Sequence, residues 1–186
     1  MLSYPPETSH LRMSVYCALF TALIIIGSYI SIPIPISPVP IVLADFFVML
    51  TGLFLGWKYG LLSVGLYIAL GVLGLPVFAG GTSGLAMLFG PTGGFLFGYL
   101  LLVATIGFLT HIPRSMFILD LIAVLLGNVF MYVVGVTWLK ITLEMNWLAA
   151  IAAGFVPFLP GTIVKIIVVL FVSCRVVPGF KEKYIR

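Results

Sequence analysis

Charged residues are scarce in this sequence, and their scarcity excludes most classes of soluble protein. Of the 186 residues, 8% are charged and 62% are hydrophobic, and the mean hydropathy is +1.30. Soluble domains carry about 25% charged residues, whereas uncharged apolar runs of about 18 residues or more are typical of transmembrane helices. The sequence therefore indicates an integral membrane protein. Its net charge of +4 does not indicate nucleic-acid binding, because the basic residues fall at the ends of the apolar runs.

Residue types that carry catalysis, metal binding or redox chemistry are also few. Cys17 and Cys174 lie inside apolar runs and are interpreted as reduced thiols, while His10 and His111 are isolated. No metal site is expected, since no second ligand stands at a suitable spacing. The sequence has no P-loop lysine motif, no HExxH motif and no paired carboxylates within the apolar runs. We therefore expect no enzyme activity and no cofactor in this chain, and any ATP would be used by partner subunits.

Six apolar segments predict an all-α membrane protein with six transmembrane helices. These segments are residues 11–30, 41–56, 61–73, 92–109, 115–136 and 148–174. The predicted organisation is a short tail over residues 1–10, a transmembrane domain over 11–175 and a basic tail over 176–186. The sequence leaves open whether residues 148–156 begin the last helix or form a separate piece.

The segments between the predicted helices have distinct compositions. Residues 31–40 contain four prolines, which forbid helix and favour an extended conformation. Residues 57–60 and 111–114 are predicted turns, and residues 138–147 a polar connection between two tryptophans. With six spans, seven basic residues fall on one side and Lys140 alone on the other. This imbalance predicts cytoplasmic N and C termini and places the unusual loops outside.

The glycine-rich stretch over residues 74–98 is predicted to form the wall of a small-molecule site. It holds eight glycines and two prolines but no charge, and irregular backbone at membrane depth must be packed in protein or line a cavity. Its candidate ligand contacts are the polar and large apolar side chains Phe78, Thr82, Ser83, Met87, Thr92 and Phe95. The hydroxyls could equally close their own turns, and the apolar side chains could be ordinary core.

Asp45 and Lys165 are the ionisable residues that fall clearly within the predicted spans. A charge at membrane depth costs about 2.5–3.5 kcal/mol on insertion scales, so it usually pairs or serves a site. The two residues could form a structural ion pair, contact a ligand, or do both. Thr162 lies three residues before Lys165, on the same helix face, and the start of this helix favours an anion.

Two further pairs of residues share a helix face. Asn128 and Tyr132 are four apart and are candidates either for ligand binding or for hydrogen bonds between helices. Ala18 and Ala22 form a small-residue pair on the first span, which is a candidate surface for a partner protein.

Several strings, taken together and in order, resemble the BioY family. They are SIPIPISPVPI, LYIALGVLGLPVFAGGTSG, LFGPTGGFLFGYL, GNVFMYVVGVTWL and PFLPGTIVK. That family comprises the biotin-specific substrate-binding (S) components of energy-coupling-factor (ECF) vitamin transporters. The resemblance implies a six-helix S-component fold in the cell membrane with an outward-facing biotin pocket. It also implies a transmembrane coupling protein, which would contact Ala18 and Ala22, and two cytoplasmic ATPases.

The chain departs from the family pattern in two places. Near the end, the family usually has Asp after Pro-Gly, whereas this chain has Thr162. At the start of the second span, the family usually has Gln and Thr, whereas this chain has Ala44 and Asp45. We therefore hypothesise that Asp45 occupies the same region of the pocket and faces Lys165. The function predicted is biotin capture for an ATP-driven importer. Capture of another small vitamin or carboxylate metabolite, and autonomous facilitated transport, are the alternatives.

Overall fold

The computed structural model describes residues 6–110 and 117–177, which form helices and one small β-hairpin. The longer helices and the strands are α1 (Pro6–Tyr29), β1 (Ser31–Ile34), β2 (Ser37–Val42), α2 (Ala44–Val72), α3 (Ala86–Phe89), α4 (Gly93–Leu109), α5 (Phe117–Thr142), α6 (Trp147–Gly154) and α7 (Leu159–Arg175). Two short 3-10 turns lie between these elements, one at Ala79–Gly81 before α3 and one at Val156–Phe158 between α6 and α7. Within the described ranges, four helical stretches are long and apolar enough to cross a membrane: Leu11–Tyr29, Ala44–Val72, Phe117–Thr142 and Trp147–Arg175.

The continuous helix α2 is in fact two helices that reverse direction at Gly56. Gly56 has a non-helical conformation, with φ 72° and ψ −173°, which glycine adopts without strain. The two halves, residues 44–55 and 57–72, lie against each other. The evidence is that a Cβ built on Gly60 would stand only 3.9 Å from the Cα atom of Gly52. The predicted turn at residues 57–60 is therefore wrong, since one glycine makes the reversal and those residues are helical. With α2 counted twice, α4 included and Trp147–Arg175 counted as one span, the predicted six-helix fold is confirmed.

The proline-rich segment forms an antiparallel hairpin of β1 and β2. Ser31 pairs with Val42 and Ile32 with Ile41. The extended conformation predicted from the prolines is thus confirmed, but the pairing adds a two-stranded sheet to a fold predicted as all-α. The hairpin returns the chain to α1, where the Leu43 amide donates to the carbonyl oxygens of Gly27 and Ile30.

The connection predicted at residues 138–147 starts later in the structure than in the prediction. Helix α5 continues to Thr142, so residues 138–142 are helical and the polar connection is confined to the turn that follows. Asn146 caps α6, as its side chain accepts a hydrogen bond of 2.8 Å from the Ala149 amide. Helix α6 is separate from α7, which answers the question left open by the sequence.

Glycines bring α4 and α5 into close contact. A Cβ on Gly94 would stand 2.2 Å from Trp138 Cβ, and one on Gly98 would stand 3.0 Å from the Met131 carbonyl oxygen. Gly94 and Gly98 therefore let two helices of the same chain pack closely. Gly90, just before α4, accepts a hydrogen bond from the Trp138 indole.

These contacts define two ends of the bundle. The Gly56 end holds the start of α1, the end of α4 and the end of α7. The loop end holds the β-hairpin, the glycine-rich stretch and α6.

The predicted tails and one predicted turn are only partly covered by the structure. Helix α1 begins at Pro6, inside the predicted N-terminal tail. The predicted turn at 111–114 and most of the basic tail lie outside the described residues, which leave out residues 1–5, 111–116 and 178–186. Cys17 and Cys174 are both free, but Cys174 is exposed rather than in the core.

Candidate functional site

A cavity opens at the loop end between α1, β2, α2 and α4. Its empty volume is about 390 Å³, a figure that includes space open to solvent. The lining residues are Ser28, Val39, Pro40, Val42, Tyr67, Phe78, Ala79, Met87, Thr92, Phe95, Leu96 and Tyr99. The walls are therefore mainly apolar, with a few hydroxyl groups and no charged side chain.

Four of the residues predicted to contact a ligand line this cavity. They are Phe78, Met87, Thr92 and Phe95. The Thr92 hydroxyl oxygen is buried and has no hydrogen-bond partner among the described residues. A buried hydroxyl without a partner costs free energy, so its place in the wall of a cavity favours a role in holding a polar ligand group.

The rings of the two cavity phenylalanines, Phe78 and Phe95, pack against other aromatic side chains on the side away from the cavity. The Phe78 ring stands edge-on to Tyr67, with centroids 5.5 Å apart, and fills space that a Cβ on Gly71 would invade, at 2.1 Å. Phe95 contacts Tyr132 edge-on at 6.3 Å and packs on Phe158. Both rings are therefore held in place as apolar walls.

Asp45 and Lys165 form a buried ion pair beside the cavity. The Lys165 ammonium donates to Asp45 Oδ1 at 2.7 Å and Oδ2 at 2.9 Å, and the two side chains are 11% and 7% exposed for Lys165 and Asp45 respectively. The same ammonium donates to the carbonyl oxygen of Val42, a cavity-lining residue, at 2.7 Å. The expectation that Asp45 faces Lys165 is confirmed. Their contact with a ligand stays a prediction, since neither side chain lines the cavity.

The structure places Asn128, Tyr132 and Thr162 at helix contacts outside the cavity lining. The Asn128 amide donates to Met49 Sδ at 3.3 Å and to the Val124 carbonyl oxygen at 2.8 Å. The Tyr132 and Thr162 hydroxyls are 2.6 Å apart and join α5 to α7. These bonds match the alternative of interhelical hydrogen bonding. Asn128 Oδ1 is nevertheless buried with no partner among the described residues.

Thr82 and Ser83 are not in the cavity lining either. Thr82 is exposed, and its hydroxyl donates to the Ala79 carbonyl oxygen at 3.0 Å. Thr82 thus closes its own turn, which is the alternative that the sequence left open.

Three hydroxyl residues of the cavity were missed by sequence reasoning. Ser28 lies near the end of α1, Tyr67 in the second half of α2 and Tyr99 in α4. The available signal was a hydroxyl in an apolar helix within about two turns of the loop end, but such residues are common. Their convergence depends on how three helices pack, which the spacing along the chain does not contain.

A buried acid was also missed at the Gly56 end. Asp120 is 5% exposed and accepts a hydrogen bond from the Ser173 hydroxyl. It lies in the first turn of α5, too close to the predicted end of the span to stand out as an intramembrane charge. Its bond joins α5 to α7, far from the cavity.

The small-residue pair of α1 lies on an open face of the bundle. Ala18 and Ala22 are both exposed, as are Leu11 and Val15 on the same side of the helix. These four side chains form an exposed, apolar face over about three turns of the helix.

The sequence is similar to curated proteins along nearly its whole length. It is 41% identical over 165 residues to the biotin transporter BioY of Thermotoga maritima, covering 89% of this chain and 95% of that protein. It is 40% identical over 152 residues to the biotin transporter BioY2 of Lactococcus lactis, covering 82% of each. It is also 39% identical to the probable biotin transporter BioY of Pyrococcus horikoshii, covering 85% of this chain and 91% of that protein.

The fold is similar to that of a solved protein as well. A crystal structure of the S-component for biotin from an ECF-type ABC transporter matches with a TM-score of 0.86 and 32% sequence identity, covering 99% of this chain and 100% of the other. The family model described as the BioY family matches residues 5–182. On these grounds the chain belongs to the BioY family.

Proposed function

We propose that this protein captures biotin from the outer face of the cell membrane and serves as the substrate-binding component of an ATP-driven ECF transporter. The observation that carries the proposal is the cavity at the loop end, with aromatic walls and a few hydroxyls. Biotin has an apolar chain and thioether ring for such walls and a ureido group for the hydroxyls. Relatives that match most of this chain are named biotin transporters.

The chain itself offers no visible means of using ATP. Its described spans hold the ion pair of Asp45 with Lys165 and the acid Asp120 as buried ionisable groups, which is not the relay of acids and histidines typical of a proton-driven pump. A transmembrane coupling protein and two cytoplasmic ATPases would therefore supply energy. The exposed face around Ala18 and Ala22 supports a contact with the coupling protein, since small residues let helices approach closely.

The direction of capture follows from the positions of the basic residues. Arg12 at the start of α1, Lys58 just after Gly56 and Arg175 at the end of α7 all belong to the Gly56 end. Such residues are enriched on the cytoplasmic side. The cavity at the opposite, loop end would then open to the outside of the cell.

A direct test is a titration of the purified chain with biotin in detergent. We expect saturable binding at one site, with Phe95→Ala weakened because an aromatic wall is lost. Lack of binding by the wild-type chain would refute the proposal, and tighter binding of another vitamin would favour that compound.

Reconstitution into liposomes separates capture from autonomous transport. We expect binding of radiolabelled biotin without accumulation when the chain is alone, and ATP-dependent accumulation when an ECF module is added. Accumulation by the chain alone would instead support a facilitator. Ala18→Leu should lower transport while leaving biotin binding unchanged, because Ala18 lies outside the cavity.

A further inference from the structure

Helix α1 is joined to the second half of α2 by a row of polar contacts, called here the α1–α2 seam. The paired residues, with the α1 residue first, are Cys17 with Tyr59, Thr21 with Ser63, and Ser28 with Tyr67. The three α1 residues are at most 3% exposed, and their partners recur every four residues along α2. The two helices therefore meet through hydrogen bonds as well as through apolar side chains.

Thr21 makes the middle contact of the α1–α2 seam. Its hydroxyl donates to the Cys17 carbonyl oxygen of its own helix at 2.8 Å and to the Ser63 carbonyl oxygen of α2 at 3.0 Å. Because a hydroxyl has one proton, that proton is shared between the two acceptors. The bond to Ser63 ends on a backbone atom, so it sets the distance between the two helices without depending on the rotamer of a second side chain.

Other bonds hold α1 at its loop end rather than in its middle. The Leu43 amide donates to two carbonyl oxygens near the end of α1, six residues or more beyond Thr21. Closer to Thr21, the Phe20 ring packs on Phe54 with centroids 5.5 Å apart. Such an apolar contact tolerates a small rotation of the helix, whereas a hydrogen bond weakens steeply as its angle changes. The rotation of the middle of α1 therefore depends on Thr21.

The exposed residues Ala18 and Ala22 lie in the same helical turn as Thr21. We propose that Thr21 is a positioning residue for transport. Its bond to the Ser63 carbonyl oxygen holds this turn of α1 at the distance and rotation at which Ala18 and Ala22 meet the coupling protein. This inference rests on the proposed function, which assigns the coupling protein to this face, and it adds the residue that sets the face in place.

The principal test compares Thr21→Val with Thr21→Ser. Valine has the shape of threonine but no proton to donate, whereas serine keeps the hydroxyl. In liposomes with an ECF module, we expect ATP-dependent biotin uptake to be about fivefold slower for Thr21→Val, the factor that corresponds to one hydrogen bond between membrane helices. Thr21→Ser should restore most of the rate. The biotin affinity of the chain alone should be unchanged in both variants, since Thr21 does not line the cavity.

Cys17 reports directly on the state of the α1–α2 seam. It is buried, lies one turn from Thr21, and its thiol donates to the Tyr59 carbonyl oxygen at 3.5 Å. The other cysteine, Cys174, is exposed and is removed by Cys174→Ser. In that background, N-ethylmaleimide should modify Cys17 about fivefold faster in Thr21→Val than in the wild type or Thr21→Ser, because α1 separates more often from α2.

The matched control is Thr51→Val, at a fully buried threonine in the first half of α2. The Thr51 hydroxyl donates to the Phe47 carbonyl oxygen of its own helix at 2.7 Å, so the substitution removes a buried hydroxyl without breaking this contact between helices. Uptake and Cys17 modification should equal those of the wild type. Equal losses in Thr51→Val and Thr21→Val would overturn the inference, because removal of any buried hydroxyl would then have the same effect.

The outcomes separate this inference from the proposed function. If the wild type with an ECF module accumulates no biotin, the proposed function fails. If the wild type accumulates biotin and Thr21→Val does so equally fast, only this inference falls. It also falls if Cys17 modification is unchanged, or if biotin affinity drops as much as uptake, since the effect would then lie at the cavity. If Thr21→Val does not elute as one sharp peak in size-exclusion chromatography, Thr21→Ala takes its place in the comparison with Thr21→Ser.

Discussion

The two ends of the bundle use glycine in different ways. At the Gly56 end, glycines remove side chains so that helices can touch. A Cβ on Gly107 would stand 2.3 Å from the Trp57 amide nitrogen, and one on Gly52 would stand 2.9 Å from the Ile106 side chain. A Cβ at either position would have to displace its neighbour, so these glycines let the helices at this end approach each other closely, at Gly107 down to the backbone of Trp57.

At the loop end, Gly94 also allows close helix packing, but three other glycines supply backbone conformations instead. Gly74, Gly80 and Gly84 have φ values of 100°, 64° and 96°, and a Cβ on any of them would meet nothing within 4 Å. Here the turns need the left-handed region and space is left over. The comparison teaches that the same residue type lets helices pack closely in one place and lets the glycine-rich stretch turn in another.

The largest expected effect comes from breaking the ion pair that stands beside the cavity. Asp45→Asn leaves the Lys165 ammonium buried without an acid, and loss of one partner of a buried pair costs about 3–5 kcal/mol. Thermal and denaturant unfolding in detergent would measure the loss. Adding Lys165→Met should recover much of it, and an equally unstable double variant would contradict this account.

Biotin affinity of the same variant addresses the second role considered for Asp45. An unchanged biotin affinity in Asp45→Asn would show that Asp45 does not contact the ligand and that its ion pair with Lys165 is purely structural. Thr162→Asp, which restores the acid usual in the family pattern, should alter affinity if Lys165 can exchange partners.

The next largest effect is expected at the Gly56 end. Gly107→Ala forces the backbone of α4 away from Gly56 and Trp57, and overpacking of this kind costs about 1–3 kcal/mol. Gly65→Ala is the matched control, because Gly65 is also helical but has nothing within 4 Å of its would-be Cβ. The midpoint of thermal unfolding should fall for Gly107→Ala and stay equal or rise for Gly65→Ala. Similar midpoints for the two variants would argue against closure by backbone contact.

A smaller effect is expected from Gly80→Ala at the loop end. An alanine in the left-handed region costs about 1–2 kcal/mol, and no steric contact adds to it. Gly80→Asn should be milder, since asparagine tolerates this conformation better. Comparing the unfolding free energies of the two variants tests whether the positive φ, rather than lack of space, is the reason for glycine at position 80. A larger loss of stability in Gly80→Asn than in Gly80→Ala would show that the positive φ is not the reason.

The smallest effect is expected for Tyr29→Phe. The Tyr29 hydroxyl donates to the Pro76 carbonyl oxygen and so joins the end of α1 to the glycine-rich stretch. Its loss should cost about 1 kcal/mol or less, as the bond is exposed. Because this stretch includes the cavity residues Phe78 and Ala79, biotin should dissociate a few-fold faster. Rapid-mixing measurements of dissociation would show this, and an unchanged rate would mean that the bond does not hold the stretch over the cavity.

The long apolar runs made the helices and their number predictable, because burial in a bilayer leaves the backbone few alternatives. The prolines of residues 31–40 made the extended segment predictable, but not its pairing into a hairpin. The reversal at Gly56 was placed a few residues late, since Trp57 and Lys58 have the composition of an interfacial turn. The single conformation of one glycine decides that position instead.

The sequence by itself determined the membrane class and the helix count; it singled out the glycine-rich stretch with Phe78 and Phe95, and it offered the pairing of Asp45 with Lys165 as one of its alternatives. These follow from hydropathy, from backbone chemistry and from the cost of an unpaired charge in a membrane. Only the tertiary structure decided that Ser28, Tyr67 and Tyr99 meet at one cavity while Tyr132 and Thr162 bond to each other outside its lining. The physical reason is that a hydroxyl satisfies itself with whatever the packing of helices brings within reach, and that packing joins residues far apart along the chain.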